Sequence, residues 1–161
     1  MNELKLLNLL KNNANATITE LSEVLGEPFD VVAKTKTKLE SNKVICGYHT
    51  LINWDKTNFE YCMAIIEVGA KPKRDVGYDE IAKSLVEFDE ISTVLLVSGK
   101  SEFIVVIEGK TMREIADFVG QKLAPIEGVE HTITCFVLQA YKKDGISLLK
   151  NEKSERLIVT P

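Results

Sequence analysis

The sequence predicts an α+β protein in which three short helices precede strands and helices in the order β-α-β-β-α-β. Three observations carry that expectation. Apolar residues recur at helical spacing through the first 42 positions, with polar breakers between the runs. Beyond residue 60 short β-branched runs alternate with amphipathic segments. The run Phe103–Ile107 is apolar at every position, as in a strand buried on both faces.

Leu4, Leu7 and Leu10 mark the first helix, and the polar stretch Asn12-Asn13-Ala14-Asn15 stops it. Ile18, Leu21, Val24 and Leu25 mark the second. Thr17 followed by Glu20 supplies a capping box at its start, and Gly26 supplies its end. Pro28 suits the first turn of a third helix, which carries Val32, Leu39 and a series of lysines to about Asn42. Two helices joined by a Gly-containing turn have the anatomy of a helix-turn-helix unit, whose second motif helix enters the DNA major groove. A generic small helical bundle has the same spacing. Val44–Ile52 reads as an extended connector, so residues 1–52 form a winged-helix-like helix-turn-helix domain and residues 53–161 a second domain.

In the second domain Tyr61–Val68 reads as a strand. Tyr78–Phe88 reads as a helix with Ile81, Ala82, Leu85 and Val86 on one face. Ile91–Val97 and Phe103–Glu108 form a hairpin turned by Ser98–Glu102. Met112–Leu123 is a second helix, and Val129–Ala140 closes as a strand. This order is that of the ferredoxin-like split unit. Two helices cover one face of a four-stranded antiparallel sheet, and the apolar strands ask for a cover on the other. A partner sheet from a second copy is the economical answer, hence a homodimer or a higher homo-oligomer.

The chain has 161 residues, 45% apolar and 27% charged, as in soluble globular proteins. No run approaches the roughly 18 apolar residues of a membrane span, and the start lacks signal-peptide character, so a cytoplasmic protein without membrane contact is expected. Cys46, Cys62 and Cys135 are scattered and read as buried reduced thiols. His49 and His131 have no ligand-spaced partners, and neither metal nor cofactor is expected. Residues 1–45 hold six lysines and six acidic residues, so the net charge of −4 lies beyond them. Lys34, Lys36, Lys38 and Lys43 stand against Glu40 alone, a basic patch that suits either a solvated helix face or one that contacts phosphates.

Gly99-Lys100-Ser101 looks like the end of a P-loop, but that loop needs a glycine five positions earlier, where Val94 stands, and a helix afterwards, where a strand follows. A hairpin turn is the better reading. Gly99 permits a positive φ there, which lets backbone approach a ligand without Cβ interference; a plain turn glycine is the alternative, and both can hold at once.

With these elements in place, Leu39-Glu40 through Val44-Ile45 to Gly47-Tyr48 resembles the Lrp/AsnC family of leucine-responsive and asparagine-operon regulators. Val97-Ser98-Gly99-Lys100-Ser101-Glu102-Phe103 resembles a turn of that family in which an acid follows a glycine by three. Ile126 to Thr134 resembles its I-x-G-V-x-x-T-x-T segment, and Arg156–Pro161 its terminal strand in a Gram-positive subgroup. The chain departs from the family at Thr35 and Lys36, where an arginine and an apolar residue are usual. It departs again at Lys43, usually glycine, and at Glu102, usually aspartate.

The resemblance implies a DNA-binding transcription regulator whose ferredoxin-like part oligomerises and binds a small effector, an amino acid, in assemblies up to an octamer. Thr17, Asp30, Lys34, Thr35, Lys36 and Lys38 are the candidate DNA-binding residues, with the lysines on phosphates and Asp30 and Thr35 near base edges. Gly99, Lys100, Ser101, Glu102, Thr132 and Thr134 are the candidate effector-binding residues: a carboxylate accepts from ammonium, while backbone N–H groups and hydroxyls donate to carboxylate. A competing reading is an effector-binding module whose helical part no longer binds DNA. No nucleophile, acid pair or metal cluster points to an enzyme.

Overall fold

The computed structural model describes residues 2–72, 77–109 and 111–149. The terminal segment Arg156–Pro161 lies outside the described residues. The chain divides into two compact units, Met1–Leu51 and Ile52–Pro161.

The first unit holds α1 (Glu3–Asn12), α2 (Ile18–Leu25) and α3 (Phe29–Ser41). Leu6, Leu10, Leu21, Val32 and Leu39 form its buried core. The capping box forms as expected: the Thr17 hydroxyl accepts from the Glu20 N–H at 3.2 Å, and the Glu20 carboxylate accepts from the Thr17 N–H at 2.7 Å. Gly26 closes α2 in the left-handed region, at φ 66°. Pro28 sits at the N-cap of α3, not in its first turn, with φ −58° and ψ 142°. Residues 44–51 form no strand, so this unit is three helices without a β wing among its described residues.

A 3-10 turn, Trp54–Lys56, opens the second unit. Then come β1 (Met63–Ala70), α4 (Asp79–Val86), β2 (Ile91–Leu96), β3 (Phe103–Glu108), α5 (Met112–Phe118) and β4 (Val129–Phe136). The sheet order is β2-β3-β1-β4, antiparallel throughout, which is the ferredoxin-like arrangement. β1 starts two residues later than the sequence suggests because its ladder to β3 begins at Met63↔Glu108. It extends to Ala70, where β4 still pairs through Val129. β4 ends at Phe136 for the same reason, opposite Ala64 near the start of β1. The second expected helix is α only to Phe118; Val119–Leu123 is a π turn, closed by Ala124 N–H donating to Val119 O at 2.8 Å. A short hairpin, β5 (Lys142–Lys143) with β6 (Ile146–Ser147), follows the sheet.

Alternate residues of the sheet face α4 and α5. Ala64, Ile66 and Val68 of β1 and Phe103, Val105 and Ile107 of β3 are buried there with Ile81, Leu85 and Ile115. The opposite face has no cover within the described residues. Ile65 of β1 is 37% exposed, Leu95 of β2 51% and Ile133 of β4 41%, while Ile104 and Val106 between them are half-buried. In-register pairing puts Leu95 opposite Ile104, and Ile65 opposite both Val106 and Cys135, so these side chains share one face.

Two expectations are corrected. The cysteines are not buried: Cys46 and Cys135 are exposed and Cys62 is half-buried. Cys135 sits opposite Ile65 on the open sheet face, and Cys46 lies in the irregular stretch after α3. Gly99 is not among the positive-φ glycines, and a Cβ there would meet nothing nearer than Ser101 O at 3.9 Å. The turn therefore places no demand on glycine at that position. The close approach occurs at Gly69 instead, where an added Cβ would lie 1.9 Å from the His131 ring.

Candidate functional site

Two places gather the candidate residues, one in each unit. In the first, the phase of α3 is set by Val32 and Leu39, seven residues apart and both buried. Asp30, Lys34, Thr37 and Ser41, at steps of four, three and four, therefore form the face directly opposite the core. Lys34 is exposed and pairs with Asp30 at 3.8 Å; Lys38, also exposed, pairs with Glu3 at 3.6 Å. Such solvated pairs contribute little and are readily exchanged for other anions.

Lys36 is different. Its ammonium lies 3.4 Å from the Glu40 carboxylate and 5.3 Å from the centroid of the Tyr48 ring, with only 23% of the side chain exposed. The Tyr48 hydroxyl donates to the same Glu40 oxygen at 2.8 Å. That hydrogen bond, opposed by partial desolvation and assisted by Lys36, holds the Glu40 carboxyl below its ordinary value of 4.5. Lys36 thus ties the residues after the helix back onto α3. Thr35 is also turned away from the outer face: its hydroxyl donates to Val31 O at 2.8 Å. Thr17 is occupied by its capping box. Of the six candidates, Asp30, Lys34 and Lys38 are displayed, while Thr17, Thr35 and Lys36 are engaged within the unit.

In the second unit the β2–β3 turn is closed by Val97 N–H donating to Glu102 O at 2.8 Å. The Glu102 carboxylate accepts from Ala70 N–H at 2.7 Å, where β1 bulges between Gly69 and Ala70. That bond uses Oε2 and leaves Oε1 of Glu102 able to accept another donor. Ser101 is 4% exposed, and its hydroxyl is 3.3 Å from Glu67 Oε2. Gly99 and Lys100 are exposed at the tip.

Thr132 and Thr134 stand opposite Val68 and Ile66, so they project toward the helix-covered face and are half-buried. Phe103 and Thr132 flank Val68 on its two sides, so the turn and Thr132 share one end of the sheet with β1 between them, about 10 Å across. One subunit does not bring all six residues into a common pocket. Sequence reasoning missed Thr37, Glu67 and His131. The seven-residue spacing of Val32 and Leu39 could have revealed Thr37; the other two depend on strand register.

A separate cleft of about 90 Å³ lies between the 3-10 turn, the start of β1 and the β5–β6 hairpin. Trp54 stacks on Tyr61 there, with ring centroids 5.1 Å apart. Lys143 pairs with Glu108 at 2.6 Å. Burial, reinforced by the Glu108 carboxylate, pushes the Tyr61 hydroxyl up to about 12.

Residues 63–146 match the family model of the Lrp/AsnC ligand-binding domain. The whole chain is similar to YugG, an uncharacterized HTH-type transcriptional regulator of Bacillus subtilis: 36% identical over 160 residues, 99% of this chain and 96% of that protein. Among solved structures, the fold resembles a feast or famine regulatory protein of Mycobacterium tuberculosis complexed with L-methionine. That match has a TM-score of 0.69 and 21% identity, and covers 89% of this chain and 95% of that one. It also resembles a Neisseria meningitidis transcriptional regulator in complex with L-Met, with a TM-score of 0.67 and 22% identity over 84% and 86% of the two chains. A three-helix unit that displays α3, joined to an antiparallel sheet unit matching the ligand-binding domain, places the chain in its family: it belongs to the Lrp/AsnC family of HTH-type transcriptional regulators.

Proposed function

We propose that the chain binds double-stranded DNA through α3 as a homo-oligomer in the cytoplasm, regulating transcription in response to an amino acid and catalysing no reaction. The observation that carries this reading is the pairing of a displayed, lysine-bearing α3 with a second unit that matches a ligand-binding domain. Lys34 and Lys38 suit phosphate contacts. The second oxygen of Glu102 suits an ammonium group, and the N–H groups of Gly99–Ser101 suit a carboxylate. Thr132 and Thr134 complete such a site from another copy, since one subunit holds them apart from the turn. L-methionine bound in two structures of like fold supports the amino-acid class. No helix of the described residues is long and apolar enough to cross a membrane.

The engagement of Lys36 and Thr35 within the unit favours a second reading, in which α3 no longer meets DNA and the chain is an oligomeric effector module. Genome-wide capture of DNA by the purified protein, with and without pooled amino acids, separates the two. Discrete sites whose occupancy changes with amino acids are expected. Recovery of no enriched DNA would leave the effector module.

A further inference from the structure

We propose that Thr37, not Thr35, is the residue of α3 that discriminates between base pairs. This inference rests on the DNA-binding reading above and deepens it. A recognition helix presents to the groove the face turned away from its own core. Val32 and Leu39 fix that core side, and Thr37 stands opposite both.

Its neighbours on the displayed face are a loose, solvated ion pair and a hydroxyl turned back onto the helix. Asp30 and Lys34 pair with each other, and the Ser41 hydroxyl donates to Thr37 O at 2.6 Å. The Thr37 hydroxyl has no partner among the described residues and is exposed. Thr35 shows the contrary arrangement, half-buried and donating to Val31 O. A threonine at the centre of the face offers a hydroxyl, which bonds a base edge, and a methyl, which packs on the thymine methyl. Lys34 and Lys38, both on one flank of Thr37, then serve as phosphate contacts that set register without reading sequence.

The test is selection from a randomised duplex library by the full-length protein, its Thr37→Val and Thr37→Ala variants, and Thr35→Val. Thr37→Val keeps the methyl and removes the hydroxyl; Thr37→Ala removes both. Thr37→Ala should lose roughly fivefold or more discrimination at one base pair per half-site. Its salt dependence should match wild type, because every lysine that neutralises a phosphate remains. Thr35→Val should select the wild-type sequence. Unchanged preferences in both Thr37 variants, or a loss confined to Thr35→Val, would overturn the assignment. So would a reduced salt slope with preference intact, which marks a phosphate contact. If the wild-type protein enriches no sequence, the DNA-binding reading itself fails, and that outcome is distinct from the others.

Discussion

Lys43 shows how one residue can conflict with the backbone it occupies. α3 ends in a Schellman motif: Val44 N–H donates to Leu39 O at 2.9 Å, and Lys43 N–H donates to Glu40 O at 3.1 Å. The motif needs a left-handed residue after the cap, and Lys43 takes that role at φ 57°. A side chain with a Cβ resists this conformation by about 1–2 kcal/mol, partly offset by the freedom a glycine would have in the unfolded chain. Lys43→Gly should therefore stabilise the first unit by about 1 kcal/mol, read as a higher midpoint of the thermal loss of helical circular dichroism. Lys43→Ala should leave that midpoint nearly unchanged. An equal gain in both variants would show that loss of the lysine charge, not the backbone, is responsible.

At the scale of the element, α3 separates lysines that the sequence treats alike. Lys34 and Lys38 are exposed with weak partners, whereas Lys36 packs on Tyr48 and Glu40. Replacing Lys34 and Lys38 together by Ala should lower the slope of log affinity against log salt by about 0.9 for each phosphate no longer neutralised. Lys36→Ala should leave that slope alone and lower thermal stability, because it strands Glu40 and Tyr48 without their cation. A slope that falls only with Lys36→Ala would reverse these roles. The helices and strands were legible because apolar spacing reports which face is buried, whatever covers it. The Thr17–Glu20 capping box was legible because it is local. Local spacing does not reveal what meets across strands. His131 lying against Gly69, Glu102 accepting from Ala70, and Thr132 turning to the helix side all follow from register. Register is set by pairing between residues far apart in the chain, as where Ala64 meets Phe136.

For the whole molecule the decisive feature is the sheet face opposite α4 and α5. Ile65, Leu95, Ile104, Val106 and Ile133 lie on it across all four strands, with the Glu67 carboxylate between Ile104 and Ile133. An exposed face this rich in apolar side chains favours association, and a two-fold contact between like sheets covers it on both copies. Ile133 is the useful probe because it is solvent-facing in the single chain, so a charge there should not disturb the core. Sedimentation of wild type at micromolar concentration should show a dimer or larger species, and Ile133→Lys should shift it toward monomer with unchanged circular dichroism. Val105→Ala, on the buried face, should instead lower stability by about 1–3 kcal/mol, as loss of core methyl groups does, without selectively dissociating the assembly. If the effector site is shared between copies, Ile133→Lys should also weaken amino-acid binding. A ligand that favours one assembly state must be disfavoured when that state is lost. Unchanged sedimentation of Ile133→Lys would remove the open face as the interface. Dissociation with amino-acid binding intact would place the effector within one subunit and separate assembly from sensing.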